Sequence, residues 1–372
     1  MNDANPQNVH SRSDLLVMLS LFFAVSLLGG MLGVLTLCIL IWLSRKEFGI
    51  DLSDKHGISH RNSSRLGGLA VFVSAYLYYL VSSTIEPIGV PQYGYLHRAL
   101  LGYEWIAILI GCVGLFEDLN RGISPLIRLF LLFLVATLGF ALFPLYLPKE
   151  IEFGAYSLVI ENPILIGLGS VVLLVGFTNA GNIADGANGL LAVILLSIFG
   201  VGFALTKNLI YWTLILSLLT FLLFNIMTGR IFLGDFGSYS FSSLAVLCSF
   251  DLYNSYSLSI WLFASILSYP CFEIVYSVLY RLVKNMKVYV ADNNHLHNGL
   301  NRYFLDKGFG PLLSNSLTGV LIAALFSVVP FLLAIIFPMT LDSSLWFFCF
   351  VLLCCSYIFL RLLLCRDNST LA

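Results

Sequence analysis

Long apolar runs, separated by short polar segments, dominate this chain. A helix that crosses a membrane needs roughly 20 predominantly apolar residues, and most of the runs approach that length. They are too long for the strands of a membrane barrel, and only helices or closed barrels satisfy backbone polar groups in lipid. The pattern therefore predicts an all-α integral membrane protein, a polytopic bundle of about eleven transmembrane helices. The predicted spans are 15–43, 66–84, 98–116, 126–147, 163–179, 188–206, 209–228, 238–251, 258–283, 312–337 and 343–364.

Four segments need separate interpretation. The run 15–43 is too long for the apolar part of a signal peptide, so we expect a retained span. The span 238–251 is short and rich in serine, which makes it the weakest of the set. The segment 86–97 contains Pro and Tyr and is predicted to be an interfacial loop. Residues 284–311 form the longest cytoplasmic loop, and we expect a short helix within it.

The composition excludes an ordinary soluble protein. The 372 residues are 59% hydrophobic and 10% charged, with a mean hydropathy of +0.93, whereas globular proteins carry about 25% charged residues. We therefore expect the lipid bilayer to be a partner of the whole bundle. A net charge of −1 predicts no nucleic-acid partner. The eight cysteines lack the spacing of a metal site and are interpreted as small buried hydrophobes.

Lysine and arginine indicate the orientation, because cytoplasmic loops carry an excess of them. With a periplasmic N-terminus and a cytoplasmic C-terminus, most of the 19 Lys and Arg residues fall in cytoplasmic loops. Both termini are short, so residues 1–372 are predicted to form a single domain. Five polar clusters then lie on the cytoplasmic side, where we expect an active site built from loops: 59–68, 116–128, 179–189, 232–238 and 291–302.

The central cluster, NAGNIADGANG at 179–189, is unusually polar for this chain. Asn179 and Asn182 are three residues apart, as are Asp185 and Asn188, and on a helical turn this spacing brings side chains within reach of one another. Its three glycines allow a ligand to approach the backbone closely. The stretch is interpreted as a site for a polar ligand, a cation or both; the alternative is a polar turn between two spans.

A pair of adjacent carboxylates, Glu117 and Asp118, follows the third span. Acidic residues near membrane depth are costly and mark functional sites by default, and two neighbouring carboxylates attract a cation. The alternative is an interfacial pair that ends a helix. Arg121 and Arg128 come soon after and are candidates to hold a phosphate, although the orientation of the loops also explains them.

Asp235 stands in the glycine-containing stretch FLGDFGS. A helix that starts here would favour anions, and a carboxylate beside a phosphate site suggests Mg²⁺, which binds one or two carboxylates together with substrate phosphates. Phe232 could stack on a flat base, or simply pack in the core. His295 and His297 lack a further ligand for zinc nearby and fit phosphate binding or proton handling better. Arg65 precedes a glycine pair that suits close packing.

Together these clusters offer carboxylates, carboxamides, basic groups and glycine turns on one side of the membrane. Such a set suits a divalent cation and a diphosphate, with positioning and charge neutralisation supplying most of the catalysis. The sequence therefore predicts Mg²⁺-assisted phosphoryl transfer at the cytoplasmic interface, with Mn²⁺ as an alternative ion. A membrane-embedded enzyme can also take its acceptor from the lipid phase.

The order of the motifs resembles the polyprenyl-phosphate N-acetylhexosamine-1-phosphate transferases of glycosyltransferase family 4, in the branch that transfers GlcNAc-1-phosphate to undecaprenyl phosphate. The resemblance covers about residues 54–303. It comprises R-L-G-G, an acidic pair, N-x-x-N-x-x-D-G-x-x-G-L, F-x-G-D-x-G-S and H-x-H, of which the third and fourth together are the most specific.

The resemblance implies a reaction at the bacterial inner membrane. A UDP-N-acetylhexosamine would pass its sugar 1-phosphate to undecaprenyl phosphate and release UMP. This is the initiating step of a cell-surface polysaccharide such as an O-antigen or a capsule. A homodimer is left open.

The resemblance also implies roles by motif position. Asp235 and Asn182 would be Mg²⁺ ligands, and Asp118 would help to position the metal and the phosphates. Glu117 stands where a proposed base or phosphate-positioning Asp is usual, and Asp185 where the family has an essential Asp at the nucleotide site. The predicted substrate-binding residues are Asn188 and Phe232 for uracil, Arg128, His295 and His297 for the diphosphate or sugar, and Arg65 and Asn179 beside them.

The sequence departs from the family pattern at several motif positions. Glu117 replaces an Asp, Asn188 replaces an Asp common in bacterial members, and Ser64 replaces a Pro. The histidine motif is shortened to His295-Leu296-His297-Asn298, and the usual upstream Pro is Ala291. These departures predict an active but divergent member with an altered sugar preference.

Three other functions remain as alternatives. A multi-pass transporter would place its polar groups near the midplane, with internal repeats and broken helices; here the polar groups fall in cytoplasmic loops and no repeat is evident. A non-catalytic relative that binds a nucleotide sugar or a partner is the second alternative. Among the enzymes, UDP-MurNAc-pentapeptide is the alternative donor.

Overall fold

The computed structural model describes residues 34–43, 50–51, 63–84, 96–120, 123–153, 159–256, 258–287, 294–337 and 343–364. Helices account for nearly all of this part of the chain. They are α1 Val34–Leu43, α2 Gly67–Thr84, α3 Leu96–Asn120, α4 Pro125–Leu142, α5 Pro163–Ala184, α6 Leu190–Thr206, α7 Leu209–Thr228, α8 Gly234–Tyr256, α9 Ile260–Ile266, α10 Ser268–Val283, α11 Leu296–Asp306, α12 Pro311–Ala323, α13 Val329–Ile336 and α14 Ser343–Leu364. A π-helical turn, Ala324–Val328, joins α12 to α13.

Extended structure is confined to two short hairpin ladders among the described residues. Strands β1 (Ile50–Asp51) and β2 (Ser63–Ser64) pair antiparallel, as do β3 (Ile151–Glu152) and β4 (Val159–Ile160). Ser64 also forms a parallel bridge with Ile231. This bridge ties the segment before α2 to the segment before α8.

The helices confirm a multi-pass, all-α membrane protein. Five described helical segments are long and apolar enough to cross a membrane, and a sixth counts if α9 and α10 form one bent span. Three further apolar helices are shorter: Val34–Leu43, Gly67–Leu77 and Leu190–Thr206. The count of eleven spans and the orientation stay predictions. Most of the predicted first span, the interfacial loop before residue 96, Arg121 and Ala291 lie outside the described residues.

Helix α4 shows why these helices need a lipid environment. Large apolar side chains repeat every fourth residue along one face, and each is exposed: Leu126, Phe130, Leu134, Leu138 and Leu142. A spacing of four residues forms a continuous stripe along a helix. An apolar stripe of this length on the outside of a bundle is a surface for lipid or another membrane protein, not for water.

Helix α8 is the centre of the bundle, and it is longer than the predicted span 238–251. It runs over 23 residues and is buried by α2, α3, α5 and α6. Its serines therefore contact protein and need no lipid-compatible side chain. Several of their hydroxyls donate to carbonyls of the preceding turn, as Ser240 does to Phe236 (2.7 Å) and Ser249 to Ala245 (2.7 Å). Low hydropathy here reflects burial within protein.

Glycines let neighbouring helices approach α8 closely. A Cβ added to Gly114 of α3 would overlap the carbonyl of Asp235, and one added to Gly68 of α2 would overlap the backbone of Gly237. Small residues at such crossings are typical of membrane helices, where close packing drives association. The glycine pair after Arg65 thus has the packing role that the sequence suggested.

We expect Gly114→Ala to destabilise the protein by about 1–3 kcal/mol, because overpacking a close contact forces the backbone to move. The measurement is thermal unfolding of the purified protein in detergent. Gly169→Ala is the matched control, since a Cβ there meets no atom within 4 Å and a helical Gly→Ala change alone stabilises by about 0.5–1 kcal/mol. Equal melting temperatures for the two variants would contradict the packing argument.

The predicted span 258–283 is two helices. Helices α9 and α10 meet at Leu267 with a bend of 77°. Pro270 lies in the first turn of α10, where its missing N–H costs little because that donor has no partner within the helix. The bend carries the buried carboxylate of Glu273 toward the loop that holds the two histidines.

Candidate active site

The site is built around the N-terminus of α8. Here the chain enters the helix through Gly234, whose φ of +73° suits glycine, and whose missing side chain makes room for the Arg65 carbonyl. The segment around Arg65 runs alongside: the N–H of Gly67 donates to Phe232 (3.0 Å) and that of Gly68 to Leu233 (2.9 Å). The first and fourth motifs therefore form one continuous backbone structure.

Two carboxylates from distant helices cap α8. Asp185, at the end of α5, accepts from the N–H groups of Gly234 (2.9 Å) and Leu233 (3.4 Å). Asp118, near the end of α3, accepts from the N–H groups of Asp235 (3.1 Å) and Phe236 (2.9 Å). The first N–H groups of any helix lack partners within it, and negative charge at this end is favoured by the helix dipole.

This capping changes one expectation from the sequence. The start of α8 was predicted to offer free N–H groups to a phosphate. In the structure four successive N–H groups, from Leu233 to Phe236, are bonded to Asp118 and Asp185. These four N–H groups are therefore not free for an anion.

Asp235 lies in the middle of this arrangement. Nη1 of Arg128 is 3.9 Å from its carboxylate, and the Asn182 side chain hydrogen-bonds it. Oδ1 of Asn182 also accepts from the Ser238 hydroxyl at 3.0 Å, which fixes the amide. Arg65 acts on the same carboxylate electrostatically. Two positive side chains and one amide thus converge on Asp235.

Glu117 is close to Asp235 as well. Its Oε2 is buried and has no hydrogen-bond partner among the described residues. The Tyr239 hydroxyl, one turn along α8 from Asp235, also has no hydrogen-bond partner among the described residues, and Tyr239 is fully buried. Buried polar atoms are nearly always paired in proteins, so unpaired oxygens here are suited to a ligand.

The central cluster is partly helical. Helix α5 continues to Ala184, so the two asparagines 179 and 182 lie on it and the turn begins at Asp185. Nδ2 of Asn179 donates to the Val175 carbonyl of its own helix (2.8 Å). The glycines that were expected to admit a ligand face protein instead: Gly181 faces Ser242, Gly186 faces His297 and Gly189 faces Ile226.

Asn188 is held from the side of α12. Its N–H donates to Oδ1 of Asn315 (2.7 Å) and its Nδ2 to the hydroxyl of Ser316 (3.1 Å). Its own Oδ1 is buried with no partner among the described residues. Phe232 is half-buried immediately before α8. These two predicted uracil contacts therefore lie on different elements. The Asn188 Oδ1 has no hydrogen-bond partner among the described residues, and the Phe232 ring is only partly buried.

The two histidines lie at the start of α11. His295 precedes its first residue, and both rings are buried and stacked with centroids 5.3 Å apart. A Cβ on Gly186 would lie 3.0 Å from Nε2 of His297, so this nitrogen faces the turn after α5. Burial lowers the pKa of His297 to about 3, and nearby His295 contributes. The ring is therefore neutral at physiological pH.

Some residues of the site were not found from the sequence. Glu273 is buried in α10 and bonds to His295, and Arg361 of α14 bonds to Glu273. Tyr269 connects Glu273 to His297. A lone carboxylate inside the predicted span 258–283 was the available signal, since acidic residues within spans are functional by default. Arg361 was interpreted only as a topology charge.

Among the described residues, no group of three or more His, Cys, Asp or Glu is arranged to hold a metal. The oxygens near Asp235 nevertheless form the kind of set that Mg²⁺ uses with substrate phosphates, namely a few carboxylates and an amide. Each Asp118 oxygen accepts a single N–H and keeps a lone pair.

Comparison with known proteins identifies the same region. The model of glycosyl transferase family 4 matches residues 100–253, which include the acidic pair, the central cluster and Asp235. A probable undecaprenyl-phosphate N-acetylglucosaminyl 1-phosphate transferase of Bacillus subtilis is 28% identical over 267 residues, 68% of this chain and 69% of the relative.

Two further relatives carry different names. An undecaprenyl-phosphate alpha-N-acetylglucosaminyl 1-phosphate transferase of Thermotoga maritima is 28% identical over 54% of this chain and 60% of its own length. A phospho-N-acetylmuramoyl-pentapeptide-transferase of Wolbachia is 29% identical over 53% of this chain and 62% of its own length. The chain thus spans less than two thirds of these two relatives. Over the region that contains the site, the chain is similar to the phospho-sugar transferases of glycosyl transferase family 4.

Proposed function

We propose that this protein transfers a sugar 1-phosphate from a UDP-N-acetylhexosamine to undecaprenyl phosphate and releases UMP. This would be the initiating step of cell-surface polysaccharide assembly. The observation that carries the proposal is the meeting of Asp118, Asp185 and Asp235 with two arginines at one helix terminus. The names of the Bacillus and Thermotoga relatives support the same donor and acceptor classes.

The proposed reaction is a phosphoryl exchange. An oxygen of undecaprenyl phosphate attacks the β-phosphorus of the UDP-sugar. The bond from that phosphorus to the oxygen bridging the two phosphates breaks, and this oxygen leaves with UMP. A lipid diphosphate sugar remains. Little covalent work falls to the protein in such a transfer, so positioning and charge neutralisation carry the catalysis.

The chain's own residues divide this work. Arg65 and Arg128 are the proposed phosphate contacts, because the N–H groups of α8 are taken by two carboxylates. Asp118 and Asp185 hold the turn that carries Asp235. Glu117, with one unpaired buried oxygen, is the proposed acceptor for a proton of the incoming phosphate. Its longer side chain replaces the Asp usual in the family and alters the reach of that oxygen.

The residues present fit Mg²⁺. Four carboxyl groups, at positions 117, 118, 185 and 235, lie near two guanidinium groups at this helix terminus, and Mg²⁺ prefers oxygen ligands of this kind. Asp235, Asn182 and Asp118 are the proposed ligands. A bound Mg²⁺ would neutralise charge that develops on the phosphate oxygens. Mn²⁺ is the alternative ion with the same oxygen preference.

The proposed substrate contacts surround this centre. Phe232 offers a half-exposed ring for uracil, and Asn188 offers a buried carbonyl without a partner among the described residues. Nε2 of His297 faces the turn at Gly186, and His295 stacks on His297. Asn179 is the remaining candidate, and its Nδ2 donates to a carbonyl of its own helix.

The membrane setting completes the proposal. We place the protein in the bacterial inner membrane with eleven spans, a periplasmic N-terminus and the site on the cytoplasmic side, where nucleotide sugars are made. The positive charges of the loops support this orientation. A homodimer stays an alternative to the monomer.

One alternative donor has a specific observation behind it. Relatives named phospho-N-acetylmuramoyl-pentapeptide-transferase match this chain over about half of its length. Both donors share the UDP group and an N-acetylated sugar, so the contacts around Asp235 serve either. Selection between the two donors would depend on the space available for the pentapeptide beyond the sugar.

We expect purified protein in detergent to release UMP from one UDP-N-acetylhexosamine when undecaprenyl phosphate and Mg²⁺ are present. The donor panel includes UDP-MurNAc-pentapeptide, and chelation of the metal should abolish release. UMP release measured for each donor then assigns reaction class and donor together. If no donor yields UMP while UDP-sugar still binds, the protein is a non-catalytic relative and the proposal is wrong.

A further inference from the structure

Glu273 is the centre of a buried polar network outside the region matched by the family model. Its side chain is fully buried. Oε2 is 3.0 Å from Nδ1 of His295, and Oε1 accepts from the N–H of Leu296 at 2.8 Å. Nη1 of Arg361 lies 3.4 Å from both carboxylate oxygens. A carboxylate inside a membrane bundle is costly unless it is paired in this way.

Arg361 fastens this network to the last described helix. Its guanidinium lies 3.4 Å from the ring centroid of Tyr276, donates to the Tyr357 hydroxyl at 3.0 Å, and donates to the Asn294 carbonyl. The carbonyl of Asn294 directly precedes the histidine motif. Helices α10 and α14 therefore hold the start of α11 from two sides.

The Tyr269 hydroxyl lies within hydrogen-bonding distance of both Glu273 and His297, so its single proton bears on the tautomer of the His297 ring. The Tyr269 hydroxyl is 3.3 Å from Oε1 of Glu273 and 2.9 Å from Nδ1 of His297. It has a single proton to donate. If that proton went to His297, a lone pair of the hydroxyl would face the carboxylate. If it goes to Glu273, the hydroxyl accepts from an Nδ1–H of His297, and both contacts are attractive.

The second arrangement leaves Nε2 of His297 without a proton. This nitrogen faces Gly186, beside the cap of α8. An unprotonated ring nitrogen is an acceptor only, and it repels phosphate oxygens because both carry lone pairs. It attracts a hydroxyl or an amide N–H, such as those of an N-acetylated sugar.

We infer that Glu273 is a positioning residue that, through Tyr269, keeps His297 as the Nδ1–H tautomer, so that Nε2 accepts a hydrogen bond from the sugar of the donor and makes no contact with its diphosphate. The inference rests on the proposed function for the identity of the donor. Fixing a histidine tautomer through the other ring nitrogen is a general device of carboxylate–histidine pairs.

The first test is independent of catalysis. Protein labelled with ¹⁵N-histidine, in detergent, should give the signal of a neutral histidine protonated at Nδ1, and this signal should be missing from the spectrum of His297→Gln. In Tyr269→Phe the same signal should shift toward the Nε2–H tautomer, because Nδ1–H has lost its acceptor. An Nε2–H tautomer in the unchanged protein would overturn the inference.

The second test separates a sugar contact from a phosphate contact. We expect Tyr269→Phe to weaken binding of UDP-N-acetylglucosamine by about 3- to 10-fold, the effect of one lost hydrogen bond, with the Kd for UDP unchanged. Glu273→Gln should act in the same direction, and Glu273→Asp should recover part of the loss. Tyr269→Phe keeps the shape of the ring, and a melting temperature within the range of the unchanged protein confirms its fold.

The outcomes distinguish the two proposals. Equal weakening of UDP and UDP-sugar, or no weakening of either, would overturn the sugar contact whatever the catalytic result. A selective loss of UDP-sugar binding in a protein that never releases UMP would support the sugar contact and reject the proposed transfer. Should Glu273→Gln fail to fold, the binding comparison between UDP-N-acetylglucosamine and UDP on Tyr269→Phe still tests the sugar contact.

Discussion

Asp235→Asn should lower the rate of UMP release by on the order of 10²–10³-fold, comparable to the loss of one preorganised electrostatic group of a catalytic site, because Asp235 is a proposed Mg²⁺ ligand. The change keeps the size and shape of the side chain but removes its charge. Asp235 faces Arg128 at 3.9 Å and Asn182 within hydrogen-bond distance. Among the described residues its carboxylate contacts side chains, so we expect the fold to be unaffected.

The same helix provides the control. Asp251→Asn makes an identical chemical change at the opposite end of α8, four turns and more from the site. We expect this variant to keep most of the rate, with the melting temperatures of both variants near that of the unchanged protein. UMP release at saturating donor measures the effect. Equal rates for Asp235→Asn and Asp251→Asn would remove Asp235 from the catalytic site.

Asp118→Asn should have the second largest effect, and it should differ in kind. Both oxygens of Asp118 accept N–H groups of α8, at 3.1 and 2.9 Å. An asparagine can satisfy one of them, while its own NH₂ group opposes the other. Leaving a buried donor unpaired costs about 1–3 kcal/mol, so stability and UMP release should fall together, the latter by at least about tenfold as the Asp235 turn loosens.

Thermal unfolding and UMP release, measured on the same preparation, test this prediction. Glu117→Gln is the matched control for stability, because Oε2 of the neighbouring Glu117 has no partner to lose among the described residues. Its melting temperature should stay unchanged. If Asp118→Asn also left the melting temperature unchanged while UMP release collapsed, Asp118 would act on substrate and not as a cap.

The sequence predicted the helical membrane class and most of the helix positions, because apolar length is a local property. The predicted span 238–251 covers only part of α8. Hydropathy measures suitability for lipid, whereas α8 is surrounded by protein and its serine hydroxyls donate to its own backbone carbonyls. The bend between α9 and α10 was likewise hidden, since apolar residues continue through it.

For the site, the motifs indicated which residues matter but not which atoms meet. The spacing of Asp118, Asp185 and Asp235 along the chain carries no sign that two of them cap the helix that begins with the third. The glycines at 181 and 186 were expected to face a ligand and face protein side chains. The pairing of Glu273 with Arg361 joins residues 88 positions apart, a distance that no local pattern can bridge.

The most direct test of the central claim is the mass of the lipid product. Undecaprenyl phosphate is incubated with the purified protein, Mg²⁺ and the donor that gives UMP, and the lipid is then analysed by mass spectrometry. The account predicts a gain of one N-acetylhexosamine together with one phosphate, and no gain with Asp235→Asn. A lipid that gains sugar without phosphate, or one that stays unchanged while UDP-sugar is consumed, would contradict transfer of a sugar 1-phosphate.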